Sequence, residues 1–286
     1  MNRAIEDPRL EAIVAATHPV AGLASGSALL RAGDMLWAIH DDAFRVTRIA
    51  LPSFETSHWT FAGDGAPLPK SAKPDFESAL RTPGGTIHLL GSGSAPARCR
   101  IARLRPDVET ASLDDRPQLY RAVSEALGGG ALPNVEGAIV ERERLRLFHR
   151  GTGVGPSAIA DLPFGCLYHE PPRVLALDLF ELGALDGVPL AFTDAAAIGD
   201  GRCAFVATAE ATADPVLDGP VAGSVLGVLE GVAARWTRLR YADGRAFPDK
   251  VEGLAIDADG RGAWILTDAD DPGRPALLGR VELCGI

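Results

Sequence analysis

Short apolar runs recur along the chain, each closed by a polar turn, and the longest apolar stretch falls short of the roughly 18 to 20 residues that span a membrane. Near the carboxy end, Lys250-Val251-Glu252-Gly253-Leu254-Ala255-Ile256 leads through an Asp- and Gly-rich turn into Ala263-Trp264-Ile265-Leu266-Thr267-Asp268. A loop then leads to Leu277–Leu283, so the unit reads as three strands. The same order of features returns upstream. Pro133–Ile139 leads into Leu145–Arg150, Pro74–Leu80 into Thr86–Ser92, and Ala191–Ala197 into Cys203–Glu210. The first copy, Ser25–Leu30 followed by Met35–His40, is the most degenerate.

Each unit opens on one anchor residue. The anchors Ser27, Glu77, Glu136, Asp194 and Glu252 lie 50, 59, 58 and 58 residues apart. Near-constant spacing of a strand-hairpin unit is the signature of a repeat architecture. The pattern predicts an all-β chain forming a single β-propeller domain over residues 1–286, with five four-stranded blades. The last unit supplies only three strands, and Leu10–Val14 is expected to add the fourth and close the ring. Gln118–Leu127 reads as partly helical and Asp178–Leu185 is ambiguous. A sixth, degenerate blade around Ser53–Pro69 stays open as an alternative.

Composition refines this. The 286 residues are 47% hydrophobic and 23% charged, enough for a sizeable core, and 32 Gly with 21 Pro suit many turns. Lys70, Lys73 and Lys250 are the only lysines, a usage typical of GC-rich bacterial genomes. The formal net charge of −10, with no basic stripe, argues against nucleic acid and anionic membrane as partners. Cys99, Cys166, Cys203 and Cys284 show no CxxC spacing, and the acidic amino terminus does not resemble a secretion signal. A cytoplasmic chain with reduced thiols is the expectation.

In a propeller blade the innermost strand runs along the central channel. Five equivalent anchors would therefore ring one mouth, and four of the five are carboxylates. Carboxylates held that close repel, and burial raises their pKa further, unless a cation neutralises them. Hard oxygen donors select Ca2+, or Mg2+, over softer ions. Ser27, Glu77, Glu136, Asp194 and Glu252 are thus candidate ligands. Strand capping, pairing with Arg and bonding to channel amides are the alternatives.

Second-strand ends and their loops should share that face. They carry Asp41, Asp42, Ser92, Ser94, His149, Arg150, Glu210, Asp268 and Asp270, with Arg98 nearby. Such a rim suits a small-molecule ligand at the channel mouth. Arg150 would clamp an anion, while His149 or Asp268 assists proton transfer. Three tempting motifs fail. Gly151–Gly155 lacks GxGxxG spacing and Gly91–Ser94 is not a nucleophile elbow. Prolines break the frame after His169-Glu170. Trp37, Trp59, Trp236 and Trp264 are expected to pack between blades.

On Lys250–Leu254, Phe192-Thr193-Asp194, Glu77, Glu136 and Asp41-Asp42, the chain resembles the calcium-activated nucleotidases, the soluble apyrases. Their five-bladed propeller centres on a calcium ringed by Glu and Ser. The glutamate-glycine strand start is also similar to that of phytase-like and other bacterial propellers. The resemblance implies the fold and a central calcium. Two functions are then expected: a metal-dependent hydrolase of phosphoester, ester or lactone substrates, or a non-enzymatic binding propeller with a structural cation or none.

Overall fold

The computed structural model describes residues 1–130, 132–151, 155–168, 170–211, 219–269, 271 and 273–286. Thr152, Gly153 and Val154 of the glycine loop, His169 and Asp270 lie outside them. Among the described residues the strands form five antiparallel sheets in a ring, each meandering outward from the channel. Blade 1 comprises Gly26–Ala32, Met35–His40, Arg45–Ala50 and Thr56–Thr60. Blade 2 comprises Phe76–Arg81, Ile87–Gly91, Arg100–Arg105 and Thr110–Asp115. Blade 3 comprises Val135–Glu141, Arg144–His149, Ser157–Pro163 and Ala176–Glu181. Blade 4 comprises Val188–Gly199, Arg202–Glu210, Val221–Glu230 and Ala233–Arg238. Blade 5 takes Lys250–Ile256, Gly262–Asp268 and Leu277–Cys284 from the carboxy end.

Its fourth strand is Glu11–Pro19, paired antiparallel to Leu277–Cys284. The expected closure therefore holds, with the strand running further than Leu10–Val14. The amino terminus does more than this. Asn2–Arg3 pairs parallel to the outer strand of blade 3, and Ile5–Glu6 to that of blade 4. One short segment thus covers edges of three consecutive blades, which would otherwise offer unpaired backbone groups. The sixth-blade alternative fails. Thr56–Thr60 is the outer strand of blade 1, and the segment after it connects to blade 2.

The ring encloses one apolar cluster at each of its five blade interfaces. Between blades 3 and 4, Phe192 meets Phe148, Phe180 and Phe205 edge-on, with centroids 5.3 to 5.9 Å apart. Trp37, Trp236 and Trp264 are buried in three of these clusters and Trp59 packs against one. The predicted helical segment is Pro117–Ala126, which buries Leu119, Tyr120 and Val123 between blades 2 and 3. Tyr120 donates its hydroxyl to the Gly91 carbonyl at 2.7 Å. Gly93 must be glycine there, since it has φ +76° and a Cβ would sit 2.1 Å from the Tyr120 ring. No helix among the described residues is long and apolar enough to cross a membrane.

Candidate cation site at the channel mouth

The innermost strand of every blade carries a register shift near its start, where one residue is left without a ladder partner. Those residues are Ser27, Glu77, Glu136, Thr193 and Glu252. A bulge re-aims a side chain, here toward the neighbouring blades and the channel. In blade 4 the bulged position belongs to Thr193, one residue before Asp194. The glutamate-glycine pairing also has a cause. A Cβ on Gly137 would lie 3.0 Å from the Ala195 amide nitrogen, and one on Gly253 would lie 2.9 Å from that of Leu29.

The five positions divide by chemistry. Ser27 donates its hydroxyl to the Phe76 carbonyl at 2.5 Å, and Thr193 to the Val251 carbonyl at 2.6 Å. Each hydroxyl thereby ties its blade to the residue just before the next blade's bulge. The three carboxylates converge instead: oxygens of Glu77, Glu136 and Glu252 lie within 4.8 Å of one another, all three side chains buried. Burial first, then the neighbouring acids, pushes Glu77 well above the usual carboxylate range. Glu136 is pushed up to about 8, by burial first, with Arg150 opposing and Glu252 adding to it.

Asp194 stands apart from this trio. Its carboxyl accepts bonds from the amides of Ala195 and Leu254, each at 2.7 Å, and from that of Leu29. It therefore links blades 4, 5 and 1 across the channel waist. Burial still holds it well above the ordinary range, outweighing the three amides.

Built-in cations surround the carboxylates. Arg150 donates to Glu210 at 2.5 Å and stands 3.8 Å from both Glu136 and Glu252. Lys250 lies 3.0 Å from Glu252 and 3.7 Å from Glu210. Burial would raise Glu210, but Lys250 and Arg150 outweigh it and hold the acid low. Asn134 joins two further groups. Its side-chain amide donates to Glu136 at 2.6 Å, and its backbone amide donates to His149 Nδ1 at 2.9 Å. Burial lowers His149 to about 4, so its ring is neutral near pH 7. Glu252 Oε1 is buried beside the Lys250 ammonium at 3.0 Å and the Arg150 guanidinium at 3.8 Å.

On the other side of Glu77, a second trio of Asp41, Asp75 and Glu77 also lies within 4.8 Å. Here Lys73 sits between the two aspartates, pairing with Asp41 and lying 2.7 Å from Asp75. Arg98 adds a contact to Asp75 at 2.9 Å and one to the Ser94 hydroxyl at 2.8 Å, while Ser92 donates to Asp75 at 2.5 Å. Asp41 is raised to about 6, by burial ahead of Lys73, which opposes it.

The structure thus gathers Glu77, Glu136, Glu252, Asp41, Ser92, Arg98, His149, Arg150 and Glu210 at one mouth. Asp268 ends the second strand of blade 5, half-buried and opposite Lys250 in the ladder. Reading the sequence missed Asp75, Asn134 and Lys250 as site residues. All three sit two residues before a bulged glutamate, so the repeat itself held the signal. Lys73 precedes Pro74 and had no such signal.

No curated protein matches the chain. Among solved structures, glutaminyl cyclase from Myxococcus xanthus shares 9% identity at a TM-score of 0.52, with 99% of each chain covered. The WD40 domain of Pan2 from Neurospora crassa shares 7% identity at 0.45, with 99% of this chain and 98% of that one covered. At such identity the likeness to the cyclase speaks to the fold alone. A family profile matches residues 22–283. The chain belongs to that family, the family of unknown function DUF6929.

Proposed function

We propose that the mouth binds one divalent cation, Ca2+ with Mg2+ as the lesser fit, through Glu77, Glu136 and Glu252, and that a small polar ligand docks beside it. One observation carries this reading: the three buried carboxylates of Glu77, Glu136 and Glu252 share one small space, with oxygens within 4.8 Å of one another. The donor set fits the ion, since all its atoms are hard oxygens. Charge agrees. Ionised together, Asp41, Asp75, Glu77, Glu136, Glu210 and Glu252 would exceed Lys73, Arg98, Arg150 and Lys250 by two charges, and a divalent ion would favour that ionised state over the protonated one. The likeness of the strand starts to those of calcium-activated nucleotidases points the same way.

The bound ion would supply Lewis acidity toward an oxygen of the ligand. The chain's own groups set the rest. Arg150 is engaged by three glutamates, so its role is to hold the acids together rather than to clamp a substrate anion. Asn134 orients Glu136 and fixes the His149 ring with Nδ1 as acceptor. A second reading, hydrolysis of a phosphoester or of an ester or lactone, draws on His149, a neutral imidazole that Asn134 links to Glu136.

The test is isothermal titration of EGTA-stripped protein with CaCl2 and MgCl2, then a substrate screen on the loaded form. About one Ca2+ per chain, lost in Glu252→Gln, is the expected result. Unchanged binding in that variant would remove the assignment. Turnover by loaded wild type that disappears in His149→Gln, with Ca2+ affinity kept, would select hydrolysis over binding alone.

A further inference from the structure

At the acidic mouth the chain answers its own crowding of carboxylates with ammonium groups. Oxygens of Asp41, Asp75 and Glu77 lie within 4.8 Å of one another, and Lys73 sits among them, paired with Asp41 and 2.7 Å from Asp75. Lys250 does the same between Glu252 at 3.0 Å and Glu210 at 3.7 Å. The trio of Glu77, Glu136 and Glu252 is as tight, and its cations are shared unevenly. Arg150 stands beside Glu136 and Glu252, and Lys250 beside Glu252. Glu77, only 8% exposed, accepts no hydrogen bond and forms no ion pair among the described residues. Lys73 reaches it only as a more distant charge.

The chemistry of the gap defines what fills it. Three oxygens within 4.8 Å of one another enclose a centre no more than about 2.8 Å from each, the length of a charge-assisted N–H···O bond. A primary ammonium carries three N–H donors and no acceptor, one donor for each carboxylate. The Lys73 ammonium shows that the mouth accepts this group in a space of the same size. An anion finds no free donor, since Lys73, Arg98, Arg150 and Lys250 each contact an acid already.

We propose that the organic ligand of this mouth is a primary amine, whose ammonium seats among Glu77, Glu136 and Glu252 in place of the divalent ion. The proposal rests on the reading that this space takes a cation from solvent, and it names the organic class that competes for it. Methylammonium chloride is the probe. Tetramethylammonium chloride, with the same charge and no N–H, is the control at matched ionic strength. Both are titrated calorimetrically into EGTA-stripped protein. Methylammonium should bind at about one per chain, and tetramethylammonium at least about tenfold more weakly. Glu77→Gln, which removes charge from a crowded site, should weaken methylammonium about tenfold. Raising methylammonium should raise the apparent Kd for Ca2+ in proportion. Equal binding of the two salts, or equal methylammonium affinity in wild type and Glu77→Gln, would overturn the proposal. Either would mark a general attraction to a chain of net charge −10. Ca2+ binding without methylammonium binding would remove this proposal and leave the cation reading standing. Methylammonium binding without Ca2+ binding would do the reverse.

Discussion

The two ends of the channel are made by the same five strands and differ within four residues. At the bulge, blades 2, 3 and 5 present glutamate and blades 1 and 4 present a hydroxyl. Two to four residues later the same strands present Ala, Leu, Ile and Val, broken only by Arg31 and Arg81. The bulge makes the difference possible. Before it, side chains are turned inward and meet partners from other blades. After it, the regular ladder resumes and the side chains settle into the interblade cores. The acidic end is held by long-range charge pairs, and the other end by interblade packing with the Arg31–Asp257 pair at its rim. Disturbing one should leave the other almost untouched, and substitutions at each end can break that independence or sharpen it.

The largest effect is expected from Lys73→Met, which leaves Asp41 and Asp75 facing each other in a buried site. Removing one partner of a buried pair costs about 3 to 5 kcal/mol, read from denaturant midpoints. Added calcium should restore part of it. A loss under about 1 kcal/mol would mean that the acids are already protonated around Lys73.

Asp194→Ala comes next, because three buried amides lose their acceptor. The expected cost is about 3 kcal/mol, with Asp194→Asn clearly milder since its carbonyl still accepts. Because Asp194 stands between the two ends, its loss is also the change that should couple them. If Asp194→Ala leaves stability and calcium binding both unaltered, Asp194 does not hold the waist.

Calcium at a hundredfold excess over its Kd should stabilise the wild type by about 2.7 kcal/mol. The melting shift should vanish in Glu252→Gln. A shift that survives would place the ion elsewhere.

The pH dependence has a definite sign. Folded Glu136 titrates at about 8 against an ordinary 4.5, and Glu77 is raised too, both chiefly by burial. Between these values the folded chain holds protons that the unfolded chain has released. Without calcium, stability should therefore fall as pH rises from 4.5 toward 8. With calcium bound the fall should flatten, so the calcium-induced shift grows with pH. An equal shift at pH 5 and pH 8 would contradict the raised carboxyls. The smallest effect belongs to the far end: Arg81→Gln, on an exposed side chain, should change stability by less than about 0.5 kcal/mol, read from denaturant midpoints.

Much of the architecture was open to sequence reading. The hairpin after each anchor, the missing fourth strand of the last blade and the helix near Gln118 all come from local pattern and turn residues. Glu77, Glu136 and Glu252 were found because a repeat turns one position into a ring. Asp194 shows the limit. It is the acid in the right segment, but the bulge falls on Thr193, and one residue of register decides which side chain points where. Arg150 shows another. It stood in the right loop, while its three glutamate partners come from three different strands.

By itself, then, the amino-acid sequence determined the propeller repeat, the order of its units, the closure by the amino-terminal strand and the acidic character of one channel position, while the structure settled five blades against six. These depend on period and composition, which survive any small error of register. Only the tertiary structure decided which cations neutralise the acids, that Asp194 bridges the waist, and which interblade core each apolar residue beyond the bulge enters. Those features join residues 60 or more positions apart, such as Arg150 with Glu210 and Asp194 with Leu254. Their meeting depends on how blades pack against each other, and no local pattern along the chain encodes that distance.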